Sequence, residues 1–314
     1  MDVLCVGQLA ADILVRPVNR VDFGVDTKRV DGIDIKNGGD CLNVALGLRK
    51  LGASVGFAGL IGDDQLGEYL RRVVTDAGID ARGLRRTKEA RTCSCLVLIN
   101  SSGDRTFFYY GGANDLFSLS DLDMGQLDGT SVVHVGGTYL LPRFDGEGAA
   151  KLFSETRARG KLTSMDVTWD TTGRWLSVIE PCLPHLSLFM PSIREAEQIA
   201  GTEIPEDIAA FFQEKGVGTA VVKLGEKGCY VKHGAEPGFY TGAYRTEVVD
   251  TTGAGDSFVA GFLTGVLKGW EMEACAAFAC AVAAMNIRAI GATAGIPTFE
   301  EARQFMKAQK GQAW

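Results

Sequence analysis

Apolar and polar positions along this chain alternate at the scale of whole elements. Near-continuous apolar runs stand at 3–7 (VLCVG), 131–137 (SVVHVGG), 162–167 (LTSMDV), 186–191 (LSLFMP) and 219–225 (TAVVKLG). Runs of that length and β-branched content predict strands buried on both faces, and such strands need helices as covers. Between them the apolar residues recur at helical spacing. Asp64 to Gly78 places Leu66, Tyr69, Leu70, Val73, Val74 and Ala77 on one face and stops at a glycine, and 147–160, 193–201 and 206–216 repeat the pattern. Pro297, Thr298 and Glu301 predict a capped final helix. Strand alternating with helix predicts an α/β fold, a doubly wound and mostly parallel sheet flanked by helices.

Two stretches break the alternation. Residues 13–37 are polar and irregular with short apolar pairs, whereas 91–112 read as two strands, RTCSCLVLI and RTFFYY, around the turn NSSGD. Together they predict a small β excursion projecting from the main sheet, within a single domain spanning 1–314.

Composition narrows the setting. With 46% hydrophobic and 23% charged residues over 314 positions, the chain has ample material for a core. A formal charge of -7 offers no basic footprint for nucleic acid. MDVLCVGQLAADILV has no positively charged leader and is interrupted by Gln8 and Asp12, so it does not read as a signal peptide. The longest apolar run, Ala274 to Met285, is too short to span a bilayer, and the cytoplasm is the expected compartment. Eight scattered cysteines without a CxxC pair, beside three histidines, predict buried thiols rather than disulfides or a zinc site.

The chemistry starts from what is missing. The GK pair Gly160-Lys161 has Glu155 where a Walker A loop needs its first glycine, and Gly7 is followed by QLAAD rather than a GxGxxG turn. The informative stretch is DTTGAGDSFVAGFLTGVLKGW, where Phe258, Phe262, Leu263, Val266 and Leu267 recur at helical spacing and place a helix start near Gly255 or Asp256. Unpartnered NH groups and a positive dipole end make such a start an anion site, and Gly253, Ala254 and Gly255 have almost no side chain to keep a phosphate away. The same field is expected to hold Asp256 ionised, as suits a general base. Taken alone, Asp256 reads first as a helix-capping residue, and only its context reverses that. A second cluster, NGGDCLNVALGLRKLGA at 37–53, sets Gly38 and Gly39 ahead of Asp40 and Asn43 at the head of another helix. Those side chains can donate to and accept from a hydroxyl-rich ligand, although a glycine turn into a capped helix explains them as well.

Together these clusters resemble the ribokinase-like, or PfkB, family of sugar kinases, from Val3 to about Phe299. GGDCLNVALGLRKLGASVGFAGLIGDD matches the family's N-terminal signature and DTTGAGDSFVAGF its C-terminal one. The resemblance implies that Asp256 activates the sugar hydroxyl while Gly253, Ala254 and Gly255 form the anion hole. It assigns Asp12, Gly38, Gly39, Asp40 and Asn43 to the sugar, and makes the excursions at 13–37 and 91–112 a water-excluding lid. On the nucleotide side KLGEKG supplies Lys223, Gly225 and Gly228, PSIREAEQIAG supplies Ser192 and Glu195, and Cys280 stands where an asparagine often lies near adenine. ATP and Mg2+ are the implied donor and metal, the ion held mostly through water with Glu195 nearby. A monovalent cation, potassium in several members, is implied near Asp250 and the loop at 289–291. The lid strands of such kinases often pair across a homodimer, for which Phe107 to Tyr110 would serve, with core packing an equal explanation.

Departures from the family pattern bear on the substrate. Ala10 and Gly137 replace residues that hold ribose in ribokinase itself, and Thr168 and Trp169 break a pattern common in fructokinase-like members. Arg105, at the start of a lid strand, can match a hydroxyl or a sugar carboxylate, or simply face solvent. The expectation is ATP-dependent phosphorylation of a primary hydroxyl on a small sugar or sugar acid. A nucleoside kinase of the same family and a non-catalytic sugar or nucleotide sensor are the alternatives.

Overall fold

A computed structural model of the chain describes residues 1–309. In chain order its strands are β1 (Val3–Gly7), β2 (Ala10–Arg16), β3 (Gly32–Gly38), β4 (Val55–Gly62), β5 (Asp80–Thr87), β6 (Ser94–Ile99), β7 (Arg105–Tyr110), β8 (Val132–Thr138), β9 (Leu162–Val167), β10 (Leu188–Phe189), β11 (Thr219–Lys223), β12 (Cys229–His233) and β13 (Phe239–Thr241). The helices are α1 (Asp40–Lys50), α2 (Gln65–Asp76), α3 (Ala113–Leu116), α4 (Glu147–Ala158), α5 (Leu176–Ile179), α6 (Ile193–Ala200), α7 (Pro205–Glu214), α8 (Ala254–Leu267), α9 (Met272–Asn286) and α10 (Phe299–Gln309).

Successive side chains of a strand point to opposite faces, so Val3 and Cys5 of β1 enter one apolar layer while Leu4 and Val6 enter the other. The first layer is closed by α1, α2, α8, α9 and α10, the second by α4, α6 and α7. Between them the main sheet runs β13-β12-β11-β10-β9-β8-β1-β4-β5. It is parallel from β11 through β5, with β12 and β13 added antiparallel at one edge. The expected doubly wound sheet is therefore present.

The run at 186–191 contracts to Leu188–Phe189, because Pro191 has no NH to continue the ladder. Strand β5, DARGLRRT, shows no apolar run at all, since an edge strand needs only its inward positions to be apolar. A second sheet, ordered β3-β2-β6-β7, forms the excursion. Here β2–β3 and β6–β7 are antiparallel while β2–β6 is parallel. Residues 13–37 are thus not irregular throughout: strands occupy both ends, and 17–31 alone lacks a regular element. The alternation in GIDIKNG is genuine, but Ile33 and Ile35 face outward, where burial does not advertise them.

Strand order reverses between β1 and β8, and ligands of such sheets sit beyond the carboxyl ends of the strands at that point. The backbones meet closely there: a Cβ on Gly7, whose φ is +140°, would lie 2.2 Å from the Gly136 carbonyl oxygen. A Cβ on Gly136 would lie 3.0 Å from Cys41 Cα, so the head of α1 rests on the end of β8. Helix α8 packs along α1 just as tightly, with the Gly47 Cβ position 2.8 Å from Ala260 Cβ. Both glycine clusters are thereby delivered to one end of the sheet.

Candidate active site

On the side of α1, the two glycines answer two separate demands. Gly39 caps α1 at φ +92°, and a Cβ there would lie 2.6 Å from Leu9 Cα. Gly38 makes room for a neighbour, since its Cβ would lie 2.1 Å from Asp12 Oδ2. The cap that Gly39 cannot provide comes from Gln8, whose Oε1 accepts from the Asp40 NH at 3.1 Å. Asp12, on β2, is mostly withdrawn from water, and burial pushes its carboxyl up to about 6. Asn43 is buried and links outward and inward: its Oδ1 accepts from Asn37 Nδ2 at 3.3 Å, and its Nδ2 donates to Asp256 Oδ2 at 2.9 Å.

The start of α8 is open. Gly253 caps it in the left-handed conformation at φ 72° without a side-chain bond, and a Cβ there would lie 2.1 Å from the Ala292 carbonyl oxygen. The Ala254 NH donates to the Thr251 carbonyl at 3.2 Å, so of the three residues expected to present NH groups it is already partnered. Asp256 is the third helical residue, and its carboxylate turns to Asn43 rather than onto its own helix end. Capping does not account for it. The expectation that the helix field holds it ionised is also reversed: burial outweighs the Asn43 bond and Lys223 and pushes the carboxyl up to about 6. Desolvation of a buried carboxylate shifts its pKa by several units, whereas a helix end contributes about 1 kcal/mol or less.

Facing this helix start is Lys223, whose Nζ lies 2.5 Å from Asp166 Oδ2, both side chains being buried. The same Nζ is 3.3 Å from where a Cβ on Gly255 would sit, so the glycine leaves space for the ammonium. Burial holds Asp166 up to about 7 despite Lys223; burial also works against the ammonium, but Asp166 and Glu195 raise it overall. Asp40 is pushed well above the carboxylate range by burial and then by Asp256, Asp166 and Glu195. One ammonium therefore stands among a surplus of carboxyls.

Ser192 and Glu195 form a capping box at the head of α6, the Ser192 NH donating to Glu195 Oε2 at 2.8 Å, and Ser192 pairs in parallel with Lys223. Gly225 and Gly228 shape the β11–β12 hairpin, Gly228 because its Cβ would lie 1.9 Å from the Thr241 carbonyl oxygen. Two of the residues expected to meet a ligand have partners within the protein. Cys280 is buried in the core, its free thiol in hydrogen-bonding contact with that of Cys229. Arg105 is paired with Asp250 at 2.6 Å. Asp250 in turn accepts from the Thr252 NH at 2.8 Å and the Gly291 NH at 2.9 Å, so the carboxylate expected to hold a monovalent cation is filled by protein donors.

The chain matches the family model described as pfkB family carbohydrate kinase over residues 1–299. It belongs to that family. This kinase is 28% identical over 277 residues to 2-dehydro-3-deoxygluconokinase of Bacillus subtilis, covering 85% of this chain and 86% of the relative. It is 28% identical over 303 residues to fructokinase-2 of Solanum lycopersicum, covering 90% and 91%. Among solved structures it superposes on Arabidopsis thaliana ribokinase complexed with ribose and ATP, with a TM-score of 0.85, 25% identity and 98% of each chain covered. The kinase is thus an enzyme acting on a carbohydrate, and ATP with magnesium is the donor expected of its family. Among the described residues no helix is long and apolar enough to cross a membrane, and all eight cysteines are unpaired and buried.

Three further residues at the site of this kinase are not singled out by the sequence. Asn37, which opens the NGGDCLN cluster, and Gln8 act through partners brought close by the fold. Asp166 opens DVTWDTTGRW, and its position at the carboxyl end of a buried strand was the available cue.

Proposed function

We propose that this kinase transfers the γ-phosphoryl group of ATP to a primary hydroxyl of a small sugar or sugar acid, with Asp256 as the general base. The observation that carries the reading is the Asp256 carboxylate at the open start of α8, held through one oxygen by Asn43, where burial pushes its carboxyl up to about 6. A base poised near neutrality is ionised at working pH yet still takes a proton. Asn43 occupies Oδ2, leaving Oδ1 for the acceptor hydroxyl. As the hydroxyl oxygen bonds to phosphorus, the bond to the β–γ bridging oxygen breaks, the proton passes to Asp256, and ADP leaves. The Gly253 and Gly255 NH groups stabilise charge on the transferring group, with Ala254 joining where it releases Thr251. Lys223 lies beside them and answers the same charge.

Among the described residues no three carboxylate, histidine or cysteine side chains converge as a metal cage. That suits magnesium, which keeps several waters and takes most of its remaining ligands from phosphates. Glu195 and the surplus carboxyls near Lys223 would hold it from the outer shell, and the bound ion would neutralise phosphate charge. Asp12, Asp40 and Asn43 would bind acceptor hydroxyls, with Gly38 and Gly39 admitting them to the backbone.

The acceptor class is read from the floor of the site. A Cβ on Gly137 would lie 2.3 Å from Gln8 Cβ, so Gln8 fills the space a glutamate would need and argues against ribose. The relatives named for 2-dehydro-3-deoxygluconate, 5-dehydro-2-deoxygluconate and fructose favour a small sugar or sugar acid. A phosphorylation assay across sugars, sugar acids and nucleosides tests this directly. Turnover on a sugar or sugar acid is expected; turnover confined to nucleosides, or ligand binding without turnover, defeats the reading.

We also propose a homodimer through the lid. The cross-strand row Ile35, Ile13, Leu96 and Phe108 crosses the whole small sheet, and Ile33 and Tyr110 extend the same outward face. Ile33, Ile35, Leu96, Phe108 and Tyr110 are all exposed, a contiguous apolar surface of the kind that marks an interface. Sedimentation is expected to give a dimer that Leu96→Asp converts to monomer; a wild-type monomer defeats it.

A further inference from the structure

We propose that the Arg105 guanidinium is the resident cation of the loop entering α8, latching the lid to it, so that turnover needs no monovalent metal ion. The proposal rests on the kinase reading above. Asp250 lies immediately before the turn that opens α8 and is buried. Its Oδ1 accepts from the Thr252 NH at 2.8 Å and Arg105 Nη2 at 2.6 Å, and its Oδ2 accepts from the Gly291 NH at 2.9 Å. These donors overcome burial and keep the carboxyl below its ordinary value. A buried carboxylate left without a cation is costly, and here the cation is already covalently part of the chain.

The contacts also join three segments. Val249 and Asp250 donate their NH groups to the Ile287 carbonyl at 2.8 and 3.1 Å, while Asn286 Nδ2 donates to the Gly253 and Ala292 carbonyls at 3.3 and 2.8 Å. The open turn at Gly253 is therefore seated on the 286–292 loop, and Asp250 pins that loop from the other side. Arg105 begins β7, in the same small sheet whose β2 carries Asp12. The ion pair spans 145 residues of chain and forms only when the lid strand lies against the main domain. A guanidinium suits the task because it stays charged and its fixed donors hold a direction, which a mobile metal ion would not impose on the lid.

Two measurements on the full chain decide it. Hydrogen exchange without ligands is expected to speed up about tenfold or more in Arg105→Met, in peptides covering 94–110 and 286–293, with β11 unchanged. Arg105→Lys is expected to retain part of the protection, which separates loss of the latch from misfolding. In turnover, the wild type is expected to differ by less than about twofold between potassium and tetramethylammonium chloride at equal ionic strength, while Arg105→Met loses about tenfold and recovers in part with added guanidinium. Unchanged exchange in Arg105→Met, or activation of the wild type by potassium above about fivefold, overturns the proposal. A wild type inert toward every acceptor defeats the kinase reading instead and leaves the exchange result to decide the latch.

Discussion

On the function proposed above, the acceptor side and the nucleotide side of this cleft are built on opposite plans. Toward the acceptor, Asp12 and Asp256 are withdrawn from water, each with its carboxyl pushed up to about 6, and glycines at 38 and 39 clear the space before them. Toward the nucleotide, polar groups are largely spent on one another: Ser192 with Glu195, Asp166 with Lys223, Cys280 with Cys229. The first side stores unsatisfied charge for a ligand to meet. The second pairs most of its polar groups within the protein and leaves one ammonium, Lys223, among a surplus of carboxyls.

That contrast predicts where substitution hurts. Asp256→Asn is the largest break, expected to lower kcat by about 10³ to 10⁴ while the fold and ATP binding persist, measured by turnover beside titration with a non-hydrolysable ATP analogue. Comparable turnover in that variant would remove Asp256 from the chemistry.

Asn43→Ala comes next, with a loss of about 10- to 100-fold, and it carries a pH signature. Asn43 donates to the charged form of Asp256, so removing it raises the Asp256 pKa above about 6. The acid limb of the rate profile then moves to higher pH. A limb that stays in place would reduce Asn43 to a packing residue.

Legibility in the sequence followed locality along the chain. Gly39, Asn43 and Asp256 sit in local patterns, because a glycine turn opening a helix is written in consecutive residues, whereas Asp12 was marked only by the family resemblance. The face of α2 was equally plain, since its period is local. Asn37, Gln8 and Asp166 were not legible, as each acquires its partner by chain crossing. Arg105 shows the limit most clearly: its residue type suggested a ligand, and the fold gave it Asp250, 145 residues away. Strand β5 hid for a different reason, namely that an edge position relaxes the apolar requirement by which buried strands are recognised.

The smallest effect is the sharpest test of stored charge. Asp12 has a folded pKa of about 6 against an ordinary carboxyl value of 3.8, so its contribution to stability is fully present below pH 4 and is lost as pH rises through 6. At neutral pH the ionised carboxylate therefore weighs against the fold, by about 1 to 2 kcal/mol once partial exposure is allowed for. Asp12→Asn removes the charge and keeps the shape. Its melting temperature should exceed the wild type's by about 2 °C at pH 7.5, with the gain vanishing near pH 4, while acceptor affinity falls. Saturating acceptor should narrow the gap, because hydroxyl donors then satisfy the wild-type carboxylate. A variant less stable than the wild type at pH 7.5 would show that Asp12 is bonded into the lid as structure, and the two sides of the cleft would no longer differ in plan.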